Sequence, residues 1–147
     1  MNSAPATDRI FYIISSIRKS AYSIIENELR LNGIDGLMYT HGSVLYAIYR
    51  NGGSMKLTDI AALINRRKPT VTVLVDKLES YGYVRRETDV NDSRICLVNI
   101  TEKGEQISGV FKKIEKSLRK KALQGFTPVE EKQLMMLLGR IYFSLKD

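Results

Sequence analysis

The chain has 147 residues, of which 44% are hydrophobic and 27% charged, which indicates one globular domain rather than a disordered or fibrous chain. Its single cysteine, Cys96, excludes an internal disulfide framework and indicates a reducing compartment. Twenty-three Lys and Arg against sixteen Asp and Glu leave a net charge of +7, which favours binding to polyanions without specifying a fold.

The sequence carries no recognisable targeting segment. Residues 1–7 lack the basic start and apolar run of a signal peptide, and no stretch approaches the ~20 apolar residues of a membrane-spanning helix. We therefore expect a cytoplasmic protein without a membrane partner.

Two helices are predicted in the first third of the chain. Residues 8–32 carry apolar side chains at three- and four-residue spacing, and further apolar residues lie off that stripe. This pattern predicts a long helix that is apolar on more than one side. A second helix is predicted over residues 40–50, and the following Asn51-Gly52-Gly53 ends it.

A pair of shorter helices is predicted next. Residues 57–64 have one apolar stripe, and Thr58 is placed to cap the first turn. Pro69 suits the first position of the following helix, because the N–H group that it lacks would be unpaired there. This second helix ends at Tyr81-Gly82. A short helix, a tight connection and a longer helix are typical of a helix-turn-helix.

The hydrophobic period then changes to that of β-strands. Residues 83–87 and 95–100 are rich in β-branched and aromatic side chains, which predicts two strands. The polar residues 88–94 between them favour a turn. The pattern therefore indicates a β-hairpin with a polar tip directly after the helix-turn-helix.

Two more helices complete the predicted elements. Thr101 is placed to cap a helix that runs to about residue 122, and Thr127-Pro128-Val129-Glu130 is a capping box that opens the last one. The first and last helices have apolar faces too broad for a monomer of this length to cover. Such faces indicate a helical dimer interface.

The second helix of the pair has a polar face and a basic N-terminal end, as a helix in a DNA major groove requires. Side chains of its first turns would read bases, while basic and hydroxyl groups and the helix N–H groups hold phosphates. A bidentate contact of Arg66 or Arg67 to guanine would be worth roughly 1–3 kcal/mol of discrimination, and Val73 suits a thymine methyl. The alternative is an ordinary solvated face. The residues assigned to DNA are Arg66, Arg67, Lys68, Pro69, Thr70, Thr72, Val73 and Lys77.

The hairpin supplies further candidates. Arg85 and Arg86 are adjacent on a strand and so point to opposite faces; one should face DNA, and we assign Arg86. Arg94 at the tip suits a minor groove, whose negative potential attracts arginine. Asp92 can hold that guanidinium in a forked bond and fix its direction. The alternative is an ion pair within the hairpin that touches nothing else.

From residue 57 to residue 104 the sequence resembles the winged helix-turn-helix of the MarR family of bacterial transcription regulators. The wing motif D-x-R and the exit T-x-K-G are the most specific features. About a third of the chain carries the matching motifs: Leu57-Thr58-Asp59-Ile60-Ala61, Pro69-Thr70-Val71-Thr72, Leu78-Glu79, Tyr81-Gly82-Tyr83-Val84-Arg85-Arg86, Asp89-Val90-Asn91-Asp92-Ser93-Arg94 and Ile100-Thr101-Glu102-Lys103-Gly104. The run Arg66-Arg67-Lys68 is more basic than the small or hydroxyl residues usual there in the family.

The resemblance implies a homodimer that binds a pseudo-palindromic DNA operator, usually as a repressor, and is often released by a small molecule. It implies a mainly α fold with a β-hairpin wing, in one domain over residues 1–147. Residues 40–101 would form the DNA-binding lobe, and residues 1–35 and 102–147 the helical dimerisation region. An effector would bind between the two regions, where the amphipathic candidates are Tyr12, Tyr22, Tyr39, His41 and Tyr46.

We expect no enzymatic activity, cofactor or metal, because no nucleophile–base pair, phosphate loop or paired-carboxylate motif stands out and one His and one Cys make no tetrahedral site. His41 is expected to be structural or at the surface, or to contact an effector. Cys96 is expected to be a packed thiol, with redox sensing as the alternative. Two other functions stay open: a winged-helix protein-interaction module without a specific operator, and a small-molecule-binding protein with incidental DNA affinity.

Overall fold

A computed structural model of the chain describes residues 9–146, so the prediction about a signal peptide in residues 1–7 lies outside the described residues. The fold is mainly helical with a small antiparallel sheet, which confirms the predicted fold class. The elements in chain order are α1 Ile10–Leu31, α2 Tyr39–Arg50, β1 Ser54–Lys56, α3 Leu57–Leu63, α4 Lys68–Ser80, β2 Val84–Thr88, β3 Cys96–Ile100, α5 Glu102–Ala122 and α6 Pro128–Ser144.

The chain forms two compact units that divide it within α5, Met1–Glu115 and Lys116–Asp147. The sequence predicts a single domain over residues 1–147 whose regions meet near residues 35–40 and 102, and this division stays a prediction. The assignment of residues 1–35 and 102–147 to dimerisation stays a prediction.

The core of the first unit lies among α1, α2, α3, α4, α5 and the sheet. The apolar stripe of α4 is fully inside, because Val71, Leu74, Val75 and Leu78 are all buried. Burial of one such side chain stabilises the fold by about 1.5–3 kcal/mol. The predicted stripes of the paired helices are thereby confirmed, and the polar face of α4 is left toward solvent.

The sheet has three strands, one more than the sequence predicts. Its order is β1-β3-β2, and both outer strands run antiparallel to β3. Val98 in β3 lies opposite Met55 on one side and Arg86 on the other. A strand of three residues is too short to show an alternating pattern, which explains why the hydrophobic period missed β1.

Two predicted helix starts are wrong by a residue or more. α3 begins directly after Lys56, so Thr58 lies inside the first turn, and its hydroxyl is 3.4 Å from Asp59 Oδ1. α4 begins at Lys68, so Pro69 occupies the second helical position. Either position tolerates proline, because the first N–H groups of a helix have no partner within the helix.

The N-terminus of α6, in the second unit, confirms the predicted capping box. The Thr127 hydroxyl accepts from the Glu130 N–H at 3.3 Å, and the Glu130 carboxylate accepts from the Thr127 N–H at 2.8 Å. This bond to the backbone, with the one from the Thr127 hydroxyl, lowers the pKa of Glu130. The helix is thus fixed at its start by local bonds.

Both terminal helices expose apolar side chains, as predicted. In the first unit these are Ile10, Phe11, Tyr12, Ile13, Ile17 and Leu31 of α1. In the second unit no α6 residue that the structure describes is buried. The large apolar side chains that α6 exposes are Val129, Met135, Met136, Leu137, Leu138, Tyr142 and Phe143.

Candidate nucleic-acid interface

A tight turn between α3 and α4 places the basic triplet Arg66-Arg67-Lys68. Asn65 adopts the left-handed conformation, with φ of 52°, which asparagine tolerates better than most residues. The N–H groups of Asn65 and Arg66 then donate to the carbonyls of Ala62 and Ala61, at 3.2 and 2.9 Å. These bonds end α3 in the manner of a Schellman motif, so the triplet follows at once as the start of α4.

The N-terminal part of α4 offers groups that suit a polyanion. Arg67, the residue before the helix, makes no side-chain bond to the first turn within the described chain. The N–H groups of that turn are therefore free of a capping side chain. Around and beyond this end, the exposed members of the predicted set are Arg66, Arg67, Lys68, Pro69, Thr70, Val73 and Lys77.

Three side chains of α4 differ in how freely they face solvent. Val73 is 67% exposed, so its apolar side chain is open to contact with a base edge. Thr72 is half-buried, and its hydroxyl donates to the Lys68 carbonyl at 3.0 Å, which leaves only acceptor capacity. Lys77 is exposed, but its ammonium group lies beside Gly36, 3.6 Å from where a Cβ would stand.

The wing tip is ordered by two aspartates. One carboxylate oxygen of Asp89 accepts the N–H groups of Asn91 and Asp92, at 2.8 and 3.1 Å. The Asp92 carboxylate accepts from Nε and a terminal nitrogen of Arg94, at 3.0 and 3.1 Å, and also from its backbone N–H. The predicted forked bond is thus confirmed, and it lowers the pKa of Asp92.

Arg94 stays available despite that bond. Its side chain is 88% exposed, whereas that of Asp92 is 33% exposed. The aspartate therefore fixes the direction of the guanidinium without covering it. The contact of Arg94 with a minor groove stays a prediction.

The structure gives Arg86 partners that the sequence does not predict, and its assignment to DNA stays a prediction. Arg85 and Arg86 do point to opposite faces, as predicted, but Arg85 is the exposed one, paired with Glu87 at 3.2 Å. The Arg86 guanidinium turns to α4, where it bonds Asp76 at 2.6 Å and Glu79 at 2.9 Å. The sequence missed this because both carboxylates lie on a different element, seven or more residues away.

The T-x-K-G motif after the wing joins the start of α5 to the end of α4. The Lys103 ammonium donates to the Tyr81 carbonyl at 2.8 Å, and the Thr101 hydroxyl accepts the Gly104 N–H at 3.1 Å. A Cβ at Gly104 would overlap the Tyr83 carbonyl oxygen. The motif is therefore structural: it closes the base of the wing.

Of the five predicted effector residues, two line one cleft. A cleft of about 780 Å³ in the first unit is lined by residues of α1, α2, α3 and α5 and of the connections after α2 and α3, among them Tyr39 and Tyr46. Tyr22 stacks on Tyr39 with ring centroids 5.5 Å apart, outside the lining. Tyr12 is 65% exposed on α1, and His41 is buried elsewhere.

The cleft lining has a positive balance of charge that sequence reasoning missed. Arg50, Arg66 and Lys112 line it with one carboxylate, Glu115. The hydroxyl of Thr40, also in the lining, is buried and has no hydrogen-bond partner within the described residues. These residues are far apart in the chain, so no local pattern could have grouped them.

His41 and Cys96 both lie against the protein's own backbone groups. The buried His41 ring accepts the Met38 N–H through Nδ1 at 2.9 Å, which places it at the start of α2. Burial and the nearby Lys77 charge lower the pKa of His41. Cys96 is half-buried, with its thiol 3.9 Å from the Leu97 carbonyl.

Two further features of residues 9–146 bear on function. Their His, Cys, Asp and Glu side chains form no group of three that could hold a metal ion. None of the helices they build combines the length and apolarity needed to cross a bilayer.

The helix pair α3–α4, followed by the hairpin β2–β3 with β1 as a third strand, defines a winged helix-turn-helix domain. The MarR-family profile matches residues 37–96. The chain is 31% identical over 118 residues to the HTH-type transcriptional regulator YkoM of Bacillus subtilis (strain 168), covering 80% of this chain and 76% of that one. The chain therefore belongs to the MarR family and is a transcriptional regulator rather than an enzyme.

A second curated relative agrees with that membership, and a solved structure shares the fold. The HTH-type transcriptional regulator BilQ of Clostridioides difficile (strain CD3) is 27% identical over 129 residues, which cover 87% of this chain and 84% of that one. The Staphylococcus aureus MepR structure, solved as a DNA complex, matches with a TM-score of 0.82 and 22% identity. It covers 92% of this chain and 96% of that one, so the two share a fold.

Proposed function

We propose that this protein is a homodimeric, sequence-specific repressor that binds a pseudo-palindromic DNA operator in the cytoplasm. The single observation that carries the proposal is the pairing of two exposed elements in one unit. One is the basic, uncapped start of α4, and the other is the wing tip on which Asp92 directs Arg94. MepR, which shares the fold, was solved in complex with DNA.

Each contact follows from what its side chain presents. The triplet Arg66-Arg67-Lys68 and the first-turn N–H groups would hold phosphates, and either arginine could also pair with a guanine edge. Thr70 and Val73 lie on the exposed face where base edges would be read, with Thr72 and Lys77 at its margins. Arg94, directed by Asp92, would enter a minor groove beside that site.

The exposed apolar faces of α1 and α6 support a homodimer. Large exposed apolar patches often mark protein–protein interfaces. A second copy is the occupant we propose, because a two-fold axis would present two α4 helices to one duplex. The two would then lie about one DNA turn apart, ~34–36 Å, and match two half-sites.

The same geometry supports the proposal of repression and ligand release. A dimer that covers its operator excludes other proteins from that DNA, so repression needs no further activity. The cleft around Tyr39 and Tyr46 would take a small molecule with an aromatic part and a negative charge, because three cations face one carboxylate there. Since Arg66 belongs both to that lining and to the triplet before α4, a bound anion would compete with phosphate for it.

Binding-site selection with the purified protein, followed by band-shift titration at fixed salt, tests this proposal. We expect one enriched pseudo-palindrome, bound at least about a thousandfold more tightly than random DNA. Thr70→Ala and Arg94→Ala each remove one base or groove contact from both half-sites of the dimer, so each should weaken operator binding at least about tenfold. Lys120→Ala, a substitution on the exposed end of α5, is the control and should bind like the wild type. Specificity of only a few-fold would instead favour a protein-interaction module.

A further inference from the structure

The outer edge of the wing is attached to α4 by the carboxylate of Glu79. β2 is an edge strand, with β3 on its other side. The backbone N–H of Arg86 in β2 points outward and donates to Glu79 of α4 at 2.8 Å. The second oxygen of the same carboxylate accepts from the Arg86 guanidinium at 2.9 Å. Glu79 therefore holds both the main chain and the side chain of the strand.

The other end of the guanidinium extends this attachment along α4. One terminal nitrogen of Arg86 bonds the Asp76 carboxylate at 2.6 Å and the Thr72 carbonyl at 3.2 Å. Thr72, Asp76 and Glu79 are spaced by four and then three residues, so they form one stripe of the helix surface. The Arg86 side chain is 27% exposed, and its partners Asp76 and Glu79 are 56% and 38% exposed, so these charge-assisted bonds are partly shielded from water.

The wing beyond this attachment is held together by its own hydrogen bonds. β2 and β3 pair over five residues, and the Asp89 and Asp92 bonds order the tip. About four residues separate Arg86 from the tip, a lever of roughly 13 Å at the strand rise per residue. A tilt of about 10° at the root would therefore move the tip by about 2 Å, more than a hydrogen bond tolerates.

We propose that Arg86 and Glu79 are positioning residues that set the angle of the wing relative to α4. Arg94 and the exposed face of α4 then reach one duplex together, and Arg86 itself touches no DNA. This inference rests on the DNA-binding function proposed above. It replaces the direct DNA contact that the sequence predicts for Arg86.

A double-substitution cycle on operator affinity tests the inference. Arg86→Met is compared with Arg85→Met, which removes the same charge from the neighbouring exposed residue, at matched salt and well below the unfolding temperature. We expect Arg86→Met to weaken binding about tenfold and Arg85→Met less than about threefold, since coupled contacts fail together. In the Arg94→Ala background, Arg86→Met should lower operator affinity by less than about twofold.

The variant Glu79→Gln distinguishes an effect on the position of the wing from the effect of net charge on DNA binding. It also provides the test if Arg86→Met fails to fold. This change removes a negative charge, so charge alone would strengthen DNA binding, whereas loosening of the wing would weaken it severalfold. Weaker binding that disappears in the Arg94→Ala background supports the inference. Unchanged or tighter binding by Glu79→Gln would overturn it. So would a double variant whose loss of operator affinity equals the product of the losses of the two single variants. Wild-type affinity of Arg94→Ala would instead refute the wing contact of the proposed function.

Discussion

Two arginines of the wing have opposite surroundings, and their roles follow from that difference. Arg94 is held by one neighbour two residues away and keeps most of its surface in solvent. The Arg86 guanidinium bonds three groups of α4, namely the carboxylates of Glu79 and Asp76 and the carbonyl of Thr72. A cation that is fixed and exposed can bind a polyanion, whereas one already shared by two carboxylates has little charge left to offer.

At the scale of a residue, His41 should make stability depend on pH. Its pKa is lowered in the folded protein, so the unfolded chain takes up the proton first, near its ordinary pKa of about 6.5. Stability from this group is complete above that pH and is lost as the pH falls from there toward the lowered pKa. Urea unfolding at a series of pH values between about 7.5 and 5 measures the loss.

The matched variant for that experiment is His41→Gln, which keeps an acceptor for the Met38 N–H and does not titrate. We expect its unfolding free energy to vary less with pH over this interval than that of the wild type. Equal slopes for the two proteins would show that His41 does not carry the dependence.

Residue-scale features were predictable only where partners are close in sequence. Asp92 and Arg94 lie two residues apart, so the forked bond follows from local geometry alone. The partners of Arg86, which lies on β2, are seven to fourteen residues away on α4, and the side of the strand that faces α4 depends on packing. The burial of His41 likewise comes from tertiary contacts rather than from its neighbours in the chain.

At the scale of an element, two threonines that both look like helix caps should behave differently. The Thr127 hydroxyl accepts from the N–H of Glu130, whereas Thr58 lies inside α3 and bonds only a neighbouring side chain. Thr127→Ala should lower the unfolding free energy by about 1 kcal/mol, the usual cost of a lost cap. Thr58→Ala should change it by no more than a few tenths, because alanine also suits a helix better.

Urea unfolding of both variants at one protein concentration makes this comparison. An equal loss in the two would mean that Thr58 caps α3 after all. The elements themselves were predictable because each helix carries an apolar stripe long enough to show its period. β1 was not, since three residues carry no period and its pairing with β3 bridges more than forty residues.

At the scale of the whole molecule, the exposed face of α6 should determine the oligomeric state. Met136→Glu places a charge on that face, and burying an unpaired carboxylate costs several kcal/mol. We expect the dimer to dissociate at concentrations at least tenfold higher than for the wild type, by sedimentation velocity. Val90→Glu makes the same change at a wing residue that is 99% exposed and should leave association unchanged. A wild type that is monomeric throughout would contradict the proposed dimer.

The cations that contact DNA phosphates should lie mainly at the start of α4. Each phosphate contact contributes about 0.9 to the slope of log affinity against log salt concentration, so Lys68→Ala in both copies of a dimer should reduce that slope by about 1.8. The loss should be similar for operator and random DNA, because phosphates carry no sequence information. Lys120→Ala removes the same charge from the second unit and should leave the slope unchanged. If both variants reduce the slope equally, net charge rather than the α4 surface governs binding.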